Sequence, residues 1–214
     1  MDERCQGIIL RVHPLTETSL IIRWLTREFG RLATVAKGAR RAKSPFRGKL
    51  DLFYLADFTF RRSPRSELHT LGEVSLRDAH PFLRKEIGYV QQVSYCTALI
   101  EQTCETESSI PVVFDFLKEL LEAINAQPPL PQTILAFELK LLNELGLKPD
   151  PTKSRLSSEA CMLLQILDAT AWPEILCLRL SRSQLVELKQ FLHGFLIYHL
   201  GKIPKGRESA LMSE

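Results

Sequence analysis

The run Leu25-Thr26-Arg27-Glu28-Phe29-Gly30-Arg31, continued by Val35-Ala36-Lys37-Gly38-Ala39-Arg40-Arg41-Ala42-Lys43-Ser44 and then Arg47-Gly48-Lys49, decides the reading of this chain. Arg27-Glu28-Phe29-Gly30 is a turn signal with glycine at its end, and both flanks are apolar and β-branched, so the pattern predicts a hairpin. The glycines and Pro45 then predict a loop in place of a helix. Between Arg23 and Lys49 there are nine Lys/Arg against one acid, Glu28. A flexible loop of that composition suits a polyanion, because each phosphate it neutralises releases a condensed counterion. The alternative is an ordinary solvated surface.

Working outward, residues 6–80 read as strands. Gln6 to His13 alternates, with Ile8, Leu10 and Val12 on one face and Ile9, Arg11 and His13 on the other. Ser19 to Thr26 and Arg31 to Val35 form the hairpin. Leu50 to Arg62 predicts a fourth strand with Leu52, Tyr54, Phe58 and Phe60 on one face, and Glu67 to Asp78 a fifth with Leu68, Thr70, Gly72, Val74 and Leu76 in step. Five short strands with a long loop after the third predict a small closed barrel, and the OB-fold is the five-stranded barrel that takes oligonucleotides.

Beyond Pro81 the apolar period lengthens to that of helices. Val90 to Cys104 predicts one helix, Pro111 opens a second, and Ile134 to Leu145 is apolar on nearly every side, the mark of a helix in the middle of a bundle. Gly146 is its stop. Ser158 to Ala169, a short helix from Pro173, and a long one from Ser181 to Leu200 with Gly201 as stop complete the set. The expected organisation is therefore α+β: an N-terminal five-stranded OB-fold barrel over 1–80 and an α-helical domain over 81–214. Charge follows the same division. Residues 1–80 hold fifteen Lys/Arg and nine Asp/Glu, a net of +6, and residues 81–214 hold thirteen and sixteen, a net of −3.

Much chemistry is missing from the sequence. No phosphate-cradling glycine motif, no H-E-x-x-H and no G-x-S-x-G occurs, and His13, His69, His80, His193 and His199 form no ligand spacing. A non-catalytic protein without a cofactor is expected. The charged start of the chain lacks an apolar signal core, no run has the roughly eighteen apolar residues of a membrane span, and the five scattered cysteines read as reduced thiols. Together these predict a cytoplasmic protein.

The hairpin Leu25-Thr26-Arg27-Glu28-Phe29-Gly30, the segment Ala36-Lys37-Gly38-Ala39-Arg40-Arg41 with Ser44, and Leu50-Asp51-Leu52-Phe53 resemble the N-terminal signature of the bacterial recombination-mediator and DNA-repair family RecO. Phe137-Glu138-Leu139-Lys140-Leu141-Leu142 before Leu145-Gly146-Leu147-Lys148-Pro149, and the stretch from Leu192 to Arg207, are similar to the family's central helix and to its last helix and basic tail. One departure stands out. Many members carry four zinc-binding cysteines after the position of Pro149, and here Asp150 to Leu156 has none, while a structural zinc needs about four ligands. The resemblance implies a member without zinc, with a shortened insert.

The resemblance further implies binding of single- and double-stranded DNA, strand annealing, and loading of RecA with RecR onto strands covered by single-strand-binding protein, near the bacterial nucleoid. The expected DNA contacts are Arg27, Arg31, Lys37, Arg40, Arg41, Lys43, Arg47 and Lys49, acting by phosphate neutralisation without base specificity. Phe29 and Phe46 are either base-stacking platforms or turn and core residues. For the acidic tail of the single-strand-binding protein, Arg179, Arg182, Lys202, Lys205 and Arg207 around the last helix are the expected cations. The last helix alternatively only completes the bundle. A non-catalytic RNA-binding or ribosome-associated OB-fold protein, and an adaptor whose loop docks an acidic partner, are the other readings.

Overall fold

The structure, a computed structural model, describes residues 2–150 and 156–212. Five strands, β1 (Asp2–Pro14), β2 (Leu20–Thr26), β3 (Gly30–Ala36), β4 (Leu55–Arg61) and β5 (Leu68–Asp78), close into a barrel in the order β1-β2-β3-β5-β4. All pairings are antiparallel except β3 with β5, which run parallel over Ala33–Val35 and Leu68–Thr70. That closure is the five-stranded OB-fold. The β2–β3 hairpin turns at Gly30 with φ +63°, where glycine carries no steric penalty.

The barrel core is built on aromatics. Trp24 and Phe58 stack with centroids 4.0 Å apart, and Trp24 Nε1 donates to Thr34 Oγ1 at 2.9 Å, so the buried indole is satisfied. Cys5, Ile9, Ile22, Leu32, Phe60, Leu71 and Val74 fill the space around them. Of three register shifts in the barrel, two change the alternation expected from the sequence. On β1, Ile9 pairs with Trp24 but Arg11 with Arg23, so Leu10 is the extra residue, and Ile8, Ile9 and Leu10 are all buried. On β5, Phe58 faces Val74 and Phe60 faces Leu71, so Gly72 and Glu73 together oppose Thr59. A Cβ at Gly72 would lie 2.4 Å from Thr59 Oγ1. The inward face of β5 is therefore His69, Leu71 and Val74, where the sequence pattern put Leu68, Thr70, Gly72 and Val74 in step. The fourth strand also starts later than expected. Leu52 lies in a turn and is exposed, and Phe53 has φ +66°.

The chain forms two compact units. The first comprises the barrel up to Pro81 together with Cys104–Lys118. This second segment, a strap, belongs by sequence to the helical half. Among its contacts are a parallel bridge from Thr106 to Arg31 and a hydrogen bond from Glu107 N to Arg31 O of 2.7 Å, which place it along β3.

The second unit is helical. Its α1 (Ile87–Thr103), the end of α2 (Pro111–Ala123), α3 (Pro131–Glu144), α4 (Ser158–Ala169), α5 (Trp172–Cys177) and α6 (Arg182–Leu200) follow the expected stripes. Pro131 opens α3, which is buried along almost its whole length as its all-round apolar sequence requires. Ser181 and Gln184 form a reciprocal capping box on α6, and Gly201, φ +72°, ends it. The stretch after Gly201 does not trail away as a tail. It turns back as α7 (Arg207–Leu211), which packs on α1 and α3.

Candidate nucleic-acid interface

The loop from Lys37 to Tyr54 is a succession of hydrogen-bonded turns and not the flexible segment its composition suggests. Arg41 N, Ser44 N, Arg47 N and Lys49 N bond to the carbonyls of Gly38, Arg41, Ser44 and Phe46, each three residues back. Two kinds of anchor fix it to the barrel. Arg40 N donates to Thr18 O at 3.0 Å and its guanidinium to Thr16 O at 3.1 Å, tying the loop to the β1–β2 turn. Phe46, only 8 % exposed, enters the barrel core, with Ala39 and Leu50 packed beside it. Phe46 is thus a core residue and not a stacking platform.

With its apolar residues turned inward, the loop presents cations to solvent. Lys37, Arg40, Arg41, Lys43 and Arg47 are exposed and Lys49 is half-buried. Among the described residues no carboxylate pairs with Lys37, Arg41, Lys43 or Lys49. Arg47 reaches the Ala42 carbonyl. This end of the barrel is therefore a concentration of positive charge held on a rigid base, which favours a polyanion over an isolated acidic group.

The hairpin end is different. Arg27 makes a bidentate pair with Asp115, Nε to Oδ1 at 2.9 Å and the terminal nitrogen to Oδ2 at 3.1 Å, and these bonds raise the guanidinium pKa above its ordinary value. Arg31 donates to the Cys104 carbonyl. Phe29 packs edge-on against Phe60 at 5.5 Å with the Arg62 guanidinium over its ring. Two of the eight expected DNA contacts, Arg27 and Arg31, are thus engaged by the strap. Sequence reasoning passed over Arg11 and Arg23 as contacts. They are direct register partners on β1 and β2, and each also has interactions of its own in the fold. Only the bulge at Leu10 brings them opposite one another, so no alternation pattern reveals the pair.

In the helical unit Arg179, Arg182, Lys202 and Lys205 are exposed, and Gln102 bonds to the Lys202 carbonyl at 2.7 Å. Arg207 departs from expectation. It is 4 % exposed and forms a double hydrogen bond with the fully buried Glu138, at 2.6 and 2.8 Å, while Tyr95 donates to the same carboxylate. Its charge is turned into the bundle, so it is no surface cation. Burial alone would lower its pKa, but the bonds to Glu138 outweigh that and raise it. Among the described residues no group of three or more His, Cys, Asp or Glu is placed to hold a metal ion. Residues 151–155 of the expected zinc-less insert lie outside the described residues.

The comparisons with known proteins agree with this order of barrel, loop and helices. The profile "Recombination protein O N terminal" matches residues 1–80, and "Recombination protein O C terminal" matches residues 90–154. The chain belongs to the RecO family. Relatives named DNA repair protein RecO include one from Rhodopirellula baltica, 31 % identical over 143 residues, and one from Anaeromyxobacter dehalogenans, 32 % identical over 143 residues. One from Listeria monocytogenes is 30 % identical over 158 residues. These alignments cover 67 %, 67 % and 73 % of this chain but only 53 %, 56 % and 61 % of the respective relatives. The first RecO profile ends at residue 80, where the strands end, and the second takes in the strap. Among the described residues no helix is long and apolar enough to cross a membrane.

Proposed function

We propose that this chain is a non-catalytic DNA repair and recombination mediator that binds single- and double-stranded DNA on the barrel. The observation that carries the reading is the hydrogen-bonded loop whose cations, the exposed Lys37, Arg41 and Lys43 and the half-buried Lys49, have no carboxylate partner among the described residues, on a barrel of the family whose relatives are named for DNA repair. Contacts of this kind go to phosphates, so the binding is independent of base sequence and falls with salt. Two complementary strands held on one basic surface repel each other less, which gives annealing. Loading of RecA with RecR, and docking of the single-strand-binding protein's acidic tail near α6 through Arg179, Arg182, Lys202 and Lys205, extend the same reading, as does a cytoplasmic, nucleoid-associated location.

The deciding experiment is binding of labelled single-stranded DNA at several salt concentrations, with RNA of the same sequence as competitor. Affinity that falls linearly in log–log form and resists RNA supports the DNA reading. Preference for RNA turns it into the RNA-binding alternative, and salt-independent or absent binding removes both. The metal-free state belongs to the proposal as well: elemental analysis should give zinc well below one equivalent.

A further inference from the structure

The strap is acidic where the hairpin end of the barrel is basic. It carries Glu105, Glu107 and Asp115, and it lies against Arg27, Arg31 and Arg62. It runs along the edge of β3 just where β5 does not: β3 pairs with β5 only from Ala33 onward, and Thr106 bridges to Arg31 in the gap. Ser109 Oγ adds a bond to the Arg27 carbonyl at 3.1 Å. The strap thus supplies at the hairpin end the acceptors that a phosphate backbone would, carboxylates for Arg27 and Arg62 and a carbonyl for Arg31, and adds bonds to the Arg31 and Arg27 carbonyls that a displacing strand would leave to water.

Its hold has two weak points. The Arg27–Asp115 pair is open to solvent, with side chains 56 % and 40 % exposed, and such a pair is screened by salt and readily exchanged for another anion. Glu107, which reaches His69 and Arg62, sits at φ +56°, a left-handed conformation that a non-glycine residue keeps only when its neighbours impose it. Beside Thr106 an open pocket of about 150 Å³, lined also by Arg23, Arg31 and Glu67, adjoins the strap.

We propose that the Cys104–Lys118 strap is an internal mimic of a nucleic-acid strand, covering a second phosphate-binding surface at the hairpin end that a single strand uncovers by displacing it. This rests on the reading of the barrel as a DNA binder. Arg27 and Arg31, engaged intramolecularly in the free protein, then become phosphate contacts, and the bound strand continues from the loop end to the hairpin end of the barrel.

The test uses the full chain and an oligothymidylate long enough to span the barrel. Asp115→Asn releases Arg27 without removing a buried group. Freeing one phosphate contact should raise the salt slope by about 0.7 and tighten binding about fivefold at 0.1 M salt. Glu73→Gln, the same charge change on the exposed side of β5, controls for net charge and should give a smaller gain. Adding Arg27→Gln to Asp115→Asn should abolish the gain. In hydrogen exchange, the Glu107 amide, bonded to Arg31 O, should lose protection when the wild-type chain binds the oligonucleotide. Equal gains from both acid substitutions, or a Glu107 amide that stays protected in the complex, would overturn the strap as a cover. If the wild-type chain fails to bind but Asp115→Asn binds, the cover stands and the loop reading falls. If neither binds, both fall.

Discussion

Gly30 lies directly beneath Ser108: a Cβ added at Gly30 would come within 1.8 Å of the Ser108 carbonyl oxygen. The glycine is required twice, once by its φ of +63° and once by the strap above it. Gly30→Ala should therefore destabilise the first unit by more than about 3 kcal/mol, combining left-handed strain with a backbone clash. Gly48, at φ +72° with open space around it, separates the two effects. Gly48→Ala should cost only the conformational part, about 1–2 kcal/mol. Urea unfolding of both variants checks the difference.

In the loop, Arg41→Gln with Lys43→Gln should leave thermal stability within about 0.5 kcal/mol, since among the described residues neither side chain makes a hydrogen bond or an ion pair. The same double variant should lower the salt slope of single-strand binding by about 1.4, or 0.7 for each lost phosphate. Arg40→Gln should affect both readouts, because its guanidinium also holds the Thr16 carbonyl. Parallel melting and salt titrations separate the two classes of arginine.

Glu138 and Arg207 form a charge pair inside the helical bundle, and removal of one partner strands the other. Arg207→Met alone should destabilise the chain by about 3–5 kcal/mol. Arg207→Met with Glu138→Leu, which removes both charges, should recover much of that loss, with Tyr95 left as the unpartnered hydroxyl. Denaturant titration of the single and double variants gives the coupling.

Stability should fall in alkali. Burial, aided by the nearby carboxylates of Glu28, Glu3 and Asp57, pushes the Cys5 thiol up to about 12, and burial with Glu138 close by raises Cys96 well above its ordinary value of 9.0. Tyr95 is raised in the same way. Below pH 9 these groups are neutral in both states and contribute no pH dependence. From pH 9 to about 12 the unfolded thiols ionise while the folded ones do not, so unfolding is progressively favoured. A melting series from pH 8 to 11 should show a steady decline, and Cys5→Ser should flatten part of it. Thiol titration at pH 8 should find exposed Cys177 reacting fast and Cys5, Cys96 and Cys104 protected.

The strand pattern of β2 and β3, the turn at Gly30, the cationic loop and most helix limits were legible in the sequence, because period, capping residues and glycine stops are local signals. The inward face of β5 was not legible. A bulge is a mismatch between two strands, and nothing in Leu71-Gly72-Glu73-Val74 alone says that Thr59 will face two residues. Phe46 was ambiguous because a loop aromatic reads alike whether it enters a core or awaits a base. Arg207 read as part of a basic tail because its partner, Glu138, is 69 residues distant in sequence. The pairing of Thr106 and Glu107 with Arg31 was hidden for the same reason: the partners stand some seventy-five residues apart.

Because Thr106 and Glu107 pair with Arg31 on the edge of β3, the first eighty residues taken alone lack part of the barrel's hydrogen bonding. Cut after the last strand, the barrel would leave Arg31 on an open strand edge with its carbonyl unmet, the kind of opening at which chains pair into aggregates. During synthesis the same edge stands open until the ribosome has delivered residues some seventy-five positions further on. A barrel that carries its own later strap, whether through the full chain or by joining Cys104–Lys118 back onto the strands, should therefore stay in solution better than the strands alone.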